Sequence, residues 1–125
     1  MKRSYRDLFI WQSAVDLAVR VIELSDEFPQ RQRRVLVEQL QRCAVSVPSN
    51  IAEGKGRLSQ KELRHFLAIA RGSLSELDTQ LEIARRVGLI KDEIHAQLDH
   101  GIAITSTGIN RLLVRLSPSP KTVSP

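Results

Sequence analysis

From Ser59 to Gly88, the residues Leu63, Leu67, Ala70, Leu74, Leu77, Leu81 and Ala84 recur at spacings of four and three, which predicts a helix with one core-facing seam. Ser59 followed by Glu62 reads as a capping box, and Gly88 as a glycine stop in the left-handed conformation. An earlier seam of Ile10, Ala14, Leu17, Val21, Leu24 and Phe28 predicts a first helix that runs to about Glu27, capped by Ser4 or Asp7. Leu36, Leu40, Cys43, Val47 and Ile51 predict a second helix that begins at Gln30–Arg34 and ends at Gly54 and Gly56. A fourth helix is expected from Asp92, its cap, to Leu116, with Ile94, Leu98, Ile102, Ile109, Leu112 and Leu116 on the apolar face.

Four helices with short connections predict an all-α fold, an antiparallel up-down-up-down four-helix bundle over residues 1–116. Residues 117–125 have three prolines and no periodicity, so a disordered Pro/Ser-rich tail is expected. Pro48 interrupts the second helix. It lacks an N–H and its ring crowds the carbonyl of Ala44, so a kink or a brief stop is expected there, with Ser46, Ser49 and Asn50 available to satisfy freed groups. Gly101 and Gly108 stand one above the other in the fourth helix and predict close backbone approach or a local irregularity.

The first and third helices carry more apolar residues than one seam needs. Trp11, Val15, Ala18 and Ile22 widen the first arc, and Phe66, Ile69, Ile83 and Val87 widen the third, to about twice the ~100° that faces a single core. Either neighbours within the bundle cover these side chains, or they form an interface between subunits of a homo-oligomer.

Composition adds modest constraints. The 125 residues suit one domain, 42% hydrophobic with few aromatics, and no stretch is apolar enough to span a membrane. The lone Cys43 excludes an intrachain disulfide, no signal peptide is evident, and a cytoplasmic location is expected. Net charge is +5, and most of the nineteen basic residues are arginine. They cluster at Arg31, Arg33 and Arg34, where they oppose the dipole of the second helix, and at Lys55, Arg57, Lys61, Arg64 and Arg71 around the next turn. One reading is a solvated face. The other is salt-sensitive phosphate contact with RNA or DNA, without base stacking because no aromatic interleaves the charges.

Catalytic chemistry finds no support. G-K-G at Gly54–Gly56 lacks the remainder of a phosphate loop, and His95 and His100 are five apart, off the spacing of paired metal ligands. The serines at Ser46–Ser49 and Ser73–Ser75 lack an evident base. No enzyme, cofactor, metal or small-molecule substrate is therefore expected.

The stretches S-V-P-S-N-I-A-E-G-K-G-R (Ser46–Arg57) and F-L-A-I-A-R-G-S-L-S-E-L-D-T-Q-L (Phe66–Leu81), with the opening Y-R-D-L-F-I-W-Q-S-A (Tyr5–Ala14), closely resemble the 23S rRNA intervening sequence proteins. The resemblance covers about Tyr5 to Leu116. It implies a bacterial cytoplasmic four-helix bundle that assembles into a ring of five subunits. The chain is also similar to the accessory variability protein of diversity-generating retroelements, a basic pentamer that works with a reverse transcriptase and its RNA. Neither resemblance implies catalysis. Ser46, Pro48, Asn50, Glu53, Gly54, Gly56, Arg57, Arg71, Gly72, Ser73 and Glu76 match the family pattern, with Arg71 open to pairing with Glu53 or to phosphate contact. The expected role is an oligomeric binder of nucleic acid or of a nucleoprotein partner, the alternative a structural or protein–protein adaptor.

Overall fold

The computed structural model describes residues 4–117; residues 1–3 and the stretch 118–125, where most of the expected disordered tail falls, lie outside them. Among the described residues the chain is all-α, with no strand. Its helices are α1 (Phe9–Ser25), α2 (Glu38–Lys55), α3 (Gln60–Arg86) and α4 (Asp92–Leu116). Each packs on two neighbours, α1 on α2, α2 on α3, α3 on α4 and α4 on α1. The expected seams supply the shared core: Ile10, Ala14, Leu17 and Val21 meet Leu40, Val47 and Ile51, then Leu67, Leu74, Leu77 and Leu81, then Leu98, Ile102 and Ile109. Contacts run in opposite order along neighbouring helices. Gly54 faces Phe66, Ser46 bonds Ser73, and Gln80 reaches Cys43, so numbers fall along α2 as they rise along α3. The same reversal relates α1 to α4, through Ile10 with Gly108, Ser13 with Thr105 and Arg20 with Gln97.

The helix ends depart from expectation in instructive ways. Ser4 caps not α1 but a preceding 3-10 turn, Tyr5–Asp7, by accepting from the Arg6 N–H. Leu8 occupies the N-cap position of α1 and offers no side-chain bond. The second helix does not begin at Gln30. A 3-10 turn (Gln30–Gln32) and a π-helical turn (Arg33–Val37) precede α2. The adjacent Leu36 and Val37 are both buried, which the wider π turn accommodates better than an α-helix turning 100° per residue. α2 then continues through the buried Pro48 without stopping, and Asn50 turns its amide to the Ser46 carbonyl, not to that of Ala44. Gly54 does not end the helix either; it lies buried in its last turn, and Gly56 is the C-cap.

At α3 the Ser59 hydroxyl accepts from the Glu62 N–H at 3.1 Å, half of the expected capping box. The Glu62 carboxylate pairs with Arg57 instead of returning to the Ser59 N–H. The other end follows expectation. Gly88 has φ +87°, the Leu89 N–H bonds the Ala84 carbonyl and the Gly88 N–H bonds that of Arg85, a Schellman closure. Asp92 is not the cap of α4 but its first residue, drawn toward Arg85 at 3.4 Å. Ser117 closes α4, its hydroxyl donating to the Leu113 carbonyl at 2.8 Å.

Gly108 meets its expectation of close approach: a Cβ there would overlap Ile10 Cγ2. Gly101 is less constrained, with Leu17 Cδ1 at 3.4 Å from where its Cβ would stand.

Candidate nucleic-acid interface

The turn between α2 and α3 gathers Lys55, Arg57, Lys61 and Arg64, and packing decides which of these charges stay available. Gly54 lets the helices meet there, since a Cβ would stand 2.9 Å from Phe66 Cβ and 3.1 Å from Leu63 Cδ1. Phe66 is thereby placed under the Arg57 guanidinium, whose carbon lies 4.9 Å from the ring centroid. Arg57 also pairs with Glu53 at 2.7 Å and with Glu62 at 3.5 Å. It is thus a strap across the turn. Arg64 is likewise engaged, half-buried and donating to the Leu116 carbonyl at 3.3 Å, where a cation complements the C-terminal end of α4. Arg71 donates to Asn110 Oδ1 at 3.3 Å, so the pairing with Glu53 is replaced: Glu53 is held by Arg57, and Arg71 faces α4.

Lys55 and Lys61 are different. Both are exposed, and among the described residues neither forms an ion pair. The expected second cluster lies at the other end of α2, roughly 27 Å away along that helix. There Arg33 stands 3.8 Å from Asp26, while Arg31 and Arg34 are exposed. The structure therefore separates two basic groups that a list of arginines would merge.

Ser46, Asn50, Gly54 and Arg57 of the Ser46–Arg57 motif serve the α2–α3 junction. Ser46 Oγ lies 2.8 Å from Ser73 Oγ across the α2–α3 interface, and Asn50 Nδ2 donates to Ser46 Oγ at 3.0 Å. Bonds between part-buried polar side chains help fix the register of two helices, because a slip would separate both partners. Cys43 lies beside them, half-buried. Burial, then the negative charge of Glu76, pushes its thiol above the usual range, opposite to what a nucleophile needs.

The surplus apolar residues divide. Trp11 is half-buried against the core, edge-on to Tyr5 with ring centroids 5.3 Å apart and with the Arg6 guanidinium 5.4 Å over its ring. Val15, Ile22 and Phe66 are also half-buried within their own subunit, whereas Ile69 and Ile83 are exposed. Val87 of the third arc is exposed as well, and so are Phe9, Val35 and Val114, which lie beyond the set read from the helical arcs.

At the α3–α4 turn, Glu82 receives Arg85 Nη2 at 2.8 Å and Arg86 Nε at 2.7 Å. These donors hold its carboxyl down at about 2. His95 Nε2 lies 3.4 Å from the other carboxylate oxygen. Among the described residues no group of three or more His, Cys, Asp or Glu side chains is placed to hold a metal, and no helix is long and apolar enough to cross a membrane.

These features define a four-helix protein whose polar centre is a helix–helix junction. The sequence profile of the 23S rRNA-intervening sequence protein family matches residues 6–111, and the chain belongs to that family. A similar solved structure is that of a protein of unknown function from the S23 ribosomal protein family of Bacteroides thetaiotaomicron. It is 21% identical, with a TM-score of 0.78, over 84% of this chain and 95% of that one. At that identity the likeness is one of fold. No curated protein matches the chain.

Proposed function

We propose that this protein is a non-enzymatic, oligomeric four-helix bundle that binds nucleic acid, or a nucleoprotein partner, through a basic surface. The observation that carries the reading is the pair Lys55 and Lys61, exposed and, among the described residues, without ion pairs, beside a turn whose Arg57 and Arg64 are structurally engaged. Lys61 also stands in the first turn of α3, where positive charge opposes the macrodipole. Retention on RNA and DNA columns across a salt series tests it. Binding should be strongest at low salt and fall steeply as salt rises; no binding at low salt would overturn it and leave the protein–protein adaptor.

The finer architecture belongs to the same proposal. The reversed order of contacts between neighbouring helices supports an antiparallel up-down-up-down bundle, and Pro48 inside α2 supports a kink there, which a straight α2 in a crystal structure would remove. Exposed Ile69 and Ile83, with Phe9 and Val114, support assembly, and five subunits follow from the family resemblance. Light scattering should then give a mass near five times 14.1 kDa, and a monodisperse monomer would dismiss the ring. A reduced Cys43 suits the cytoplasm, the expected compartment.

A further inference from the structure

Sorted along the bundle axis, the charges of this chain are unequally shared. One end consists of residues 4–11, 50–66 and 108–117, brought together by Gly108 against Ile10, Gly54 against Phe66 and Arg64 against the Leu116 carbonyl. Its seven cations face only Asp7, Glu53 and Glu62, a net of +4. The other end consists of residues 23–39 and 78–95, joined by Gln80 donating to Gln39. Its six cations face eight carboxylates, a net of −2. Thus Arg31, Arg33 and Arg34, the densest run of arginine in the sequence, belong to the acidic end.

Within the positive end, Arg57 and Arg64 are committed to the fold, and Arg6 lies over the Tyr5 and Trp11 rings. What remains is Lys55 and Lys61 from the α2–α3 turn with Arg111 and Arg115 from the last turns of α4, all exposed and, among the described residues, without ion pairs. Lys55 and Arg115 gain locally from lying at helix C-termini; Lys61 does not. Of the four Phe, Tyr and Trp rings at this end, Arg6 covers Tyr5 and Trp11 and Arg57 covers Phe66, while Phe9 is exposed. One uncovered ring offers no platform for successive bases, whereas four exposed cations suit contact with successive phosphates.

Resting on the nucleic-acid reading above, we infer that the sugar–phosphate backbone of RNA or DNA lies across this one end of the bundle, held by Lys55, Lys61, Arg111 and Arg115. The Arg31–Arg34 end takes no part. Such contact is indifferent to base sequence and equal in kind for both polymers, with separate RNA and DNA probes reporting which is preferred.

The test compares the intact protein with two charge reversals, K55E/K61E/R111E/R115E and R31E/R34E, using fluorescence anisotropy on labelled single-stranded RNA and DNA of one sequence. Circular dichroism and light scattering show that each variant keeps the helix content and mass of the parent. The first variant should lose on the order of 100-fold in low-salt affinity and flatten the slope of log affinity against log salt by several units, and the second should change affinity less than about threefold. The inference is overturned if R31E/R34E weakens binding and the quadruple variant does not, or if polyglutamate of equal charge competes as well as nucleic acid. If the parent binds neither probe, the nucleic-acid reading itself fails, a result distinct from either of these.

Discussion

At the α3–α4 turn, Gly88 stands at φ +87° with no atom within 4 Å of where a Cβ would lie, and the adjoining Arg85 and Arg86 are matched by Glu82 and Asp92. At the α2–α3 turn, Gly54 keeps an ordinary helical backbone and is crowded by Phe66 and Leu63, while Lys55 and Lys61 have no matching carboxylate among the described residues. One turn is closed by backbone conformation and balanced charge. The other is closed by packing and left with charge to spare. A tally of basic residues per turn would rate them alike, so availability, not number, distinguishes a structural arginine from a binding one.

The comparison breaks most visibly at the glycines. Gly54→Ala must push Phe66 Cβ away, and overpacking of this kind costs about 1–3 kcal/mol even before the gain in helix propensity is counted. Gly88→Ala meets no atom but places a side chain in the left-handed region, at a cost of about 1–2 kcal/mol. Gly72→Ala, inside α3 with open space around it, should stabilise by up to about 1 kcal/mol. Thermal or urea unfolding of the three variants ranks them; Gly54→Ala as stable as the parent would show that the α2–α3 junction is loosely packed.

Arg57 sharpens the contrast at smaller scale. Arg57→Lys keeps the charge but loses the planar stack on Phe66 and the fork toward Glu53 and Glu62. With all these groups part-exposed, the loss should be about 0.5–1 kcal/mol by urea unfolding. Nucleic-acid affinity should hold. A large fall in affinity with unchanged stability would make Arg57 a binding residue and not a strap.

Periodicity carries the fold because it records burial directly. Leu67, Leu74, Leu77 and Leu81 are all buried as their four-three spacing requires, and Gly88 shows its φ through the only residue type that adopts it cheaply. Helix starts were harder to read. The π turn at Arg33–Val37 buries the adjacent Leu36 and Val37, and no local signal distinguishes it from an α-helix. The candidate site was half readable for a different reason. Lys55 and Lys61 lie together in the chain, but Arg111 and Arg115 reach their end of the bundle only through tertiary packing, and they fall outside the apolar periodicity that made α4 visible. Arg71 with Asn110 shows the converse, a pairing fixed by which faces of α3 and α4 meet.

The smallest effect concerns the balanced turn and depends on pH. Glu82 is held at about 2, below the ordinary 4.5, by hydrogen bonds from Arg85 and then Arg86. A carboxyl whose folded value is depressed binds protons more readily when unfolded, so its contribution to stability is complete above about 4.5 and is lost as pH falls toward 2. Glu82→Gln removes that contribution at every pH, leaving a neutral side chain beside two arginines. The melting temperatures of parent and variant should therefore differ near pH 7 by a small, salt-sensitive amount, and the gap should close between pH 4.5 and 2. The matching control is Glu53→Gln at the other turn, where Arg57 retains Glu62 and the Phe66 ring as partners. A gap for Glu82→Gln that persists unchanged to pH 2 would mean that the side chain acts by packing, and that the α3–α4 turn is not closed by balanced charge.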